Sequence, residues 1–181
     1  LREARVTAQI PHPCTIPVDE NLGRTVVMKT LQPQFQNLET YQKRFLREAR
    51  VTAQIPHPCT IPVYELSRDA EGNAYFTMKK LGGRDLSDIL DRIAENDAET
   101  ISKYPIPELL QVLVKCAQCL SFAHTQGVIH RDMKPANIMI GDYGEIMVLD
   151  WGLAKVSNLR DDDEVDQLIR SGQQTIPGRL T

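Results

Sequence analysis

Residues 128–137 read VIHRDMKPAN, and residues 148–152 read VLDWG. These stretches hold two carboxylates and an amide, Asp132, Asn137 and Asp150, set among apolar residues. The run Ile146, Met147, Val148, Leu149 has the length and composition of a short buried strand that delivers Asp150 to a site. Gly144 ahead of it suits a hairpin turn, which would bring Asn137 and Asp150 together on adjacent strands. Asp, Asn and Gly are also ordinary turn formers. A single D-x-G would therefore mean little, and the weight rests on two motifs in one order and spacing.

The first stretch has the form H-R-D-x-K-P-x-N. The second has D-W-G where D-F-G is usual. Together they resemble the catalytic loop and the metal-binding turn of protein kinases. The resemblance implies phosphoryl transfer from ATP, with Mg²⁺ neutralising the phosphates through oxygen ligands. Asn137 and Asp150 are then the metal ligands, and Asp132 is the base that orients the attacking hydroxyl. Lys134 would reach the transferred phosphate as a point charge, and Arg131 would partner a phosphorylated activation loop. Lys134-Pro135 favours Ser/Thr over Tyr kinases, and the motif is similar to that of bacterial, eukaryotic-like Ser/Thr kinases.

The implied fold is α+β and two-lobed, a small β-rich lobe with one helix and a larger, mainly helical lobe. Residues 26–29 (VVMK) resemble the family's lysine strand. Lys29 would then pair with ATP phosphates, and Glu48 would hold Lys29 in place. Without the downstream motifs both would read as ordinary surface charges. Residues 75–78 (YFTM) resemble the strand entering the hinge between lobes. The resemblance puts Met78 at the gate behind adenine, and residues 79–81, ending at Leu81, along adenine with their backbone donors and acceptors. Gly82-Gly83 would be a flexible crossing, and Asp85 a ribose or substrate contact.

The chain has 181 residues, with charged residues a quarter of them and a formal net charge of -3. That length suits one sizeable domain, and the charge argues against a generally basic nucleic-acid binder. No uninterrupted apolar run is expected to reach membrane-spanning length, and no signal peptide is evident. The expected compartment is the cytoplasm. A membrane helix beyond the kinase domain, as many bacterial relatives carry, lies outside this sequence.

Residues 1–18 and 46–63 are identical, LREARVTAQIPHPCTIPV. Two copies with different sequence between them do not make a solenoid. Context favours the second copy: Phe45, Ala49, Thr52 and Ala53 follow helical spacing, and Pro56 stops the helix. That helix should start within residues 38–45. Residues 1–18 receive no role, and neither does Glu3, which has the context of Glu48 but nothing upstream to pair with. The family places a glycine-rich phosphate loop here, yet Gly23 is the one glycine ahead of Lys29. The two strands and the loop before the lysine strand are therefore expected to be missing. On this reading residues 19–81 form a partial first lobe and residues 82–181 a partial second one.

Residues 61–66 and 74–81 read as a hairpin across a turn-rich 67–73. Residues 85–95 have helical periodicity, and 96–105 a polar loop. Pro107 opens a long apolar helix and Gly127 closes it. Being apolar nearly all round, this helix is expected to be buried. Cys116 and Cys119 would be small core residues on it. Structural zinc would need His12/Cys14 or His57/Cys59 as a second pair, and disulfides do not suit a cytosolic protein. His130 is expected to support the catalytic loop by packing and hydrogen bonding. After Gly152 the polar stretch with Asp161, Asp162, Asp163 and Glu164 resembles an activation segment, with Ser171, Thr175 and Thr181 as phosphosite candidates. No A-P-E motif or later helix follows, which would leave apolar surface open. The implied partners are ATP, Mg²⁺ and a protein substrate with Ser or Thr. The chain by itself is expected to be weak or inactive. A pseudokinase scaffold and a small-molecule phosphotransferase of kinase-like fold are the alternatives.

Overall fold

The computed structural model describes residues 23–156 in full, and ahead of them the backbone of two short strands, β1 (Cys14–Thr15) and β2 (Val18–Asp19). Glu3, His12, the acidic run at 161–164 and the three phosphosite candidates lie outside the described residues. The strand β3 (Arg24–Thr30) is the centre of the first sheet. Helix α1 (Glu39–Ala53) follows, then the hairpin β4 (Val63–Arg68) and β5 (Ala74–Lys79). All pairings are antiparallel, in the order β1-β3-β5-β4, with β2 also on β3.

The strands expected to be missing ahead of Lys29 are partly there. Cys14 lies opposite Lys29, and Val18 opposite Thr25. One sequence thus serves two ends. In residues 1–18, Cys14–Thr15 forms a sheet edge, whereas the same Cys-Thr at Cys59 and Thr60 makes a parallel bridge to Val148. Backbone groups pair with whatever neighbour the tertiary fold supplies. A two-residue strand carries little intrinsic preference to resist it.

Helix α1 buries Phe45, Glu48, Ala49, Val51 and Thr52, while Ala53 points outward. Phe45 meets Phe76 of β5 at 5.0 Å between ring centroids, and Leu31 and Ala49 complete that small core. Residue alternation along β5 places Met78 on the face of Phe76, and Met78 packs against the same cluster.

Gly82 and Gly83 lead to β6 (Arg84–Asp85) and helix α2 (Leu86–Ala94). The expected polar loop at 96–105 instead contains a helix, α3 (Ala98–Lys103), capped by Asp97, whose side chain accepts from Thr100 Oγ1 at 2.6 Å. Asp at an N-cap position is the signal that would have found it. Helix α4 (Ile106–Thr125) follows, with Pro107 in its first turn and Gly127 just beyond its end at φ +73. Then come β7 (Val128–Ile129), the hairpin β8 (Ile138–Ile140) and β9 (Ile146–Val148), and β10 (Lys155–Val156), which pairs with β7.

Helix α4 corrects two expectations. It is long and apolar enough to span a membrane by length and composition. Yet one stripe of it, Val112, Cys116, Cys119 and Ala123, is buried, and it packs on β7 and β9 as a core helix does. The opposite face is open, with Ile106, Leu110, Leu113 and Val114 about half exposed or more. A helix of this composition is buried only where a neighbour covers it. Cys59, Cys116 and Cys119 are buried free thiols. Burial pushes the Cys116 thiol up to about 11, which keeps it protonated and a poor metal ligand.

Candidate active site

Three short segments converge on the site. The first joins β3 to α1. Lys29 Nζ and Glu48 Oε1 are 2.5 Å apart, and both side chains are mostly buried. Alternation on β3 and the α1 face that carries Phe45 and Thr52 bring them together. Burial pushes the Glu48 carboxyl above its ordinary range, while Lys29 pulls it back and the nearby Asp150 charge pushes it further. A carboxylate so placed needs a cation beside it.

The second segment is the loop after β7. Lys134 Nζ donates to Asp132 Oδ2 at 2.8 Å. The Asn137 amide nitrogen donates to the Asp132 carbonyl at 2.8 Å and to Oδ2 at 3.2 Å. With that nitrogen committed, the side-chain oxygen Oδ1 is the atom Asn137 can present to a cation. Asn137 is 1% exposed and sits at the entry to β8, so its rotamer is locked by packing.

The third segment follows β9. Gly144 takes φ +79 in the β8–β9 turn, and Leu149 N–H donates to the Asn137 carbonyl at 2.8 Å. The hairpin expected across Gly144 forms, and Asp150 follows directly on the residue bonded to Asn137. Asp150 adopts φ +60 and Arg131 φ +65, left-handed conformations that cost non-glycine residues free energy and occur where surrounding contacts enforce them. The Gly152 N–H faces Asp150 Oδ1 at 3.4 Å. A Cβ on Gly152 would lie 3.7 Å from Glu48 Cβ and 3.2 Å from Asp150 Oδ1, so the turn backs directly onto the Lys29–Glu48 pair.

His130 ties the last two segments together. Asp132 N–H donates to its Nδ1 at 3.3 Å, so Nε2 carries the proton and donates to the Leu149 carbonyl at 2.9 Å. Trp151, fully buried, packs its ring 4.5 Å from the imidazole. Burial lowers the His130 pKa from 6.5 and keeps the ring neutral. The unfolded chain takes up a proton near pH 6.5 that the folded one refuses. The stability His130 contributes is therefore present above 6.5 and is lost as pH falls below it. We expect the urea midpoint to drop between roughly pH 7 and 5, and that slope to flatten in His130→Asn. An unchanged slope in the variant would exclude His130 as its origin.

Other expected site residues also make contacts within the fold. Lys79 N–H is committed to the Pro62 carbonyl at 3.0 Å, so of its backbone groups that donor is not available to adenine. Asp85 caps α2, accepting from Asp88 N–H at 2.9 Å, a structural use that competes with a ribose contact. Arg131 donates from Nε to the Leu153 carbonyl at 2.7 Å, tying the catalytic loop to the segment after Gly152. One participant had no sequence signal. The Cys59 carbonyl accepts from Val148 N–H at 2.7 Å, which anchors the segment after α1 to the strand that leads to Asp150.

The family model for the protein kinase domain matches residues 15–171. The chain belongs to the protein kinase family. Serine/threonine-protein kinase PknD of Protochlamydia amoebophila is 38% identical over 146 residues, 78% of this chain and 15% of that protein. The protein of the same name from Chlamydia trachomatis is 32% identical over 175 residues, 90% of this chain and 19% of that protein. The chain thus spans under a fifth of these relatives' length. Among solved structures, the kinase domain of Mycobacterium tuberculosis PknI matches with a TM-score of 0.60 and 24% identity, covering 83% of this chain and 58% of that one. That match bears on the fold, which is α+β and kinase-like. At the level of family this is a protein kinase domain, with the Lys29–Glu48 pair formed and the loop after β7 closed on Asn137.

Proposed function

We propose that the protein carrying this chain transfers the γ-phosphate of ATP to Ser or Thr hydroxyls of protein substrates in the cytoplasm. The observation that carries this reading is the hydrogen-bonded set of Asp132, Lys134 and Asn137, held by His130 against the turn that bears Asp150. Asn137 and Asp150 offer only oxygens, the donor set a hard divalent cation prefers. Asn137 Oδ1 and the Asp150 carboxylate would hold Mg²⁺, which neutralises phosphate charge when bound. Asp132 would orient the substrate hydroxyl and accept its proton, and Lys134 would face the transferred phosphate. Lys29 would hold the phosphates of the nucleotide, itself fixed by Glu48. A cytoplasmic setting suits the three buried free thiols.

The 181-residue chain alone is expected to turn over weakly, because no glycine-rich backbone precedes Lys29 to cover the phosphates. The two short strands β1 and β2 in that place favour, as a second reading, a scaffold that binds without turnover.

Calorimetry and thermal shift with Mg·ATP test the binding half. At a hundredfold excess over its dissociation constant, the nucleotide should stabilise the fold by about 2.7 kcal/mol. The gain should need Mg²⁺ and vanish in Asp150→Asn. Transfer of labelled γ-phosphate to Ser/Thr peptides, and not to aminoglycosides or choline, tests the other half. Binding without any transfer by the whole protein would favour the scaffold.

A further inference from the structure

The backbone at Gly83 presses on the β8–β9 hairpin more closely than any side chain allows. Gly83 has φ +104, and a Cβ there would lie 2.0 Å from the Ile140 carbonyl oxygen and 2.7 Å from Gly141 Cα. A Cβ on Gly82 would lie 2.3 Å from Asp142 Oδ2. Only the Gly83 contact is with backbone, which cannot give; the exposed Asp142 carboxylate can turn away from a Cβ on Gly82. Immediately beyond them Arg84 pairs with Ile140 and Asp85 with Met139, so β6, β8 and β9 form one small sheet. Asn137 enters that sheet at the far end of β8, about 10 Å from the glycine contact at some 3.3 Å per residue, and Asp150 leaves it after β9.

We propose that Gly83 is a positioning residue for the nucleotide. Its close approach fixes the distance between the backbone of Lys80–Leu81 and the metal-ligand end at Asn137 and Asp150. This rests on the reading that residues 80–81 face adenine. A ligand that spans both ends, ATP with Mg²⁺, feels the contact. Adenosine, which reaches one end alone, does not.

The test compares the two substitutions on the full chain. Gly83→Ala should weaken Mg·ATP binding about tenfold and adenosine binding by less than about threefold, since small misplacements of bound groups are costly only where both ends are engaged. Gly82→Ala, whose Cβ meets only the movable end of the exposed Asp142, should cost less than about threefold for either ligand. Amide exchange at residues 80–85 without nucleotide should quicken in Gly83→Ala and stay near wild type in Gly82→Ala. Equal losses for ATP and adenosine in Gly83→Ala would reduce the glycine to a purely structural role and overturn the proposal. So would wild-type binding by Gly83→Ala. If wild-type protein binds neither ligand, the adenine reading falls and this role with it. The exchange data then still report whether the contact exists.

Discussion

Asp132→Asn should lower phosphate transfer by the whole protein by about 10²- to 10⁴-fold, the usual contribution of a positioned general base. Binding of Mg·ATP should change little. Asparagine keeps the shape of Asp132 and an oxygen to accept from Asn137 and Lys134, which donate at 2.8 to 3.2 Å. What it cannot do is take a proton from the substrate hydroxyl. Single-turnover rates beside calorimetric affinities separate the outcomes. A fall in rate at constant affinity supports the base assignment. A rate that survives moves the base elsewhere, and a joint loss of rate and affinity means that Asp132 chiefly holds the loop together.

Lys29→Met should destabilise the fold by about 3 kcal/mol near neutral pH, the scale for removing one partner of a buried ion pair. Glu48 is 8% exposed, and burial and Asp150 both push its carboxyl upward, with Lys29 opposing them. Take Lys29 away and only the upward influences of this set remain. A folded-state pKa raised above the unfolded 4.5 contributes stability fully below that value and loses it as pH rises through the folded pKa. The deficit of Lys29→Met should therefore be small in acid and grow toward neutrality. Lys29→Met with Glu48→Gln removes the titrating group, so its stability relative to wild type should depend far less on pH. Denaturant midpoints of the three proteins across pH decide this. A deficit independent of pH would mean that packing of the lysine stem, and not its charge, is what Glu48 requires.

These expectations start from residues whose types and order stood out in the chain. The sequence H-R-D-x-K-P-x-N followed by D-W-G sufficed for the family, because a loop that holds an acid, a lysine and an amide needs those residue types within a few positions. Gly144 pointed to the hairpin that places Asn137 beside Asp150, and Pro107 and Gly127 marked the ends of α4, since turns and helix ends are local events with local chemistry. The Lys29–Glu48 pair needed the resemblance as well, because charges 19 residues apart carry no spacing rule of their own.

Tertiary structure decided the rest. One dipeptide, Cys-Thr, became a sheet edge at residues 14–15 and a bridge to Val148 at residue 60, because its backbone groups pair with what lies nearest. Asp85 became a helix cap and Lys79 N–H a partner of Pro62, uses fixed by where α2 and β4 happen to pass. Which apolar stripe of α4 is buried followed from the placement of β7 and β9, since Ile106, Leu110, Leu113 and Val114 are as apolar as the buried face and yet exposed. The left-handed backbone at Arg131 and Asp150 and the contact of Gly82–Gly83 with the β8–β9 turn exist only as relations between segments. The sequence by itself determined which chemistry could be assembled. The packing of distant segments determined which atoms were left to perform it.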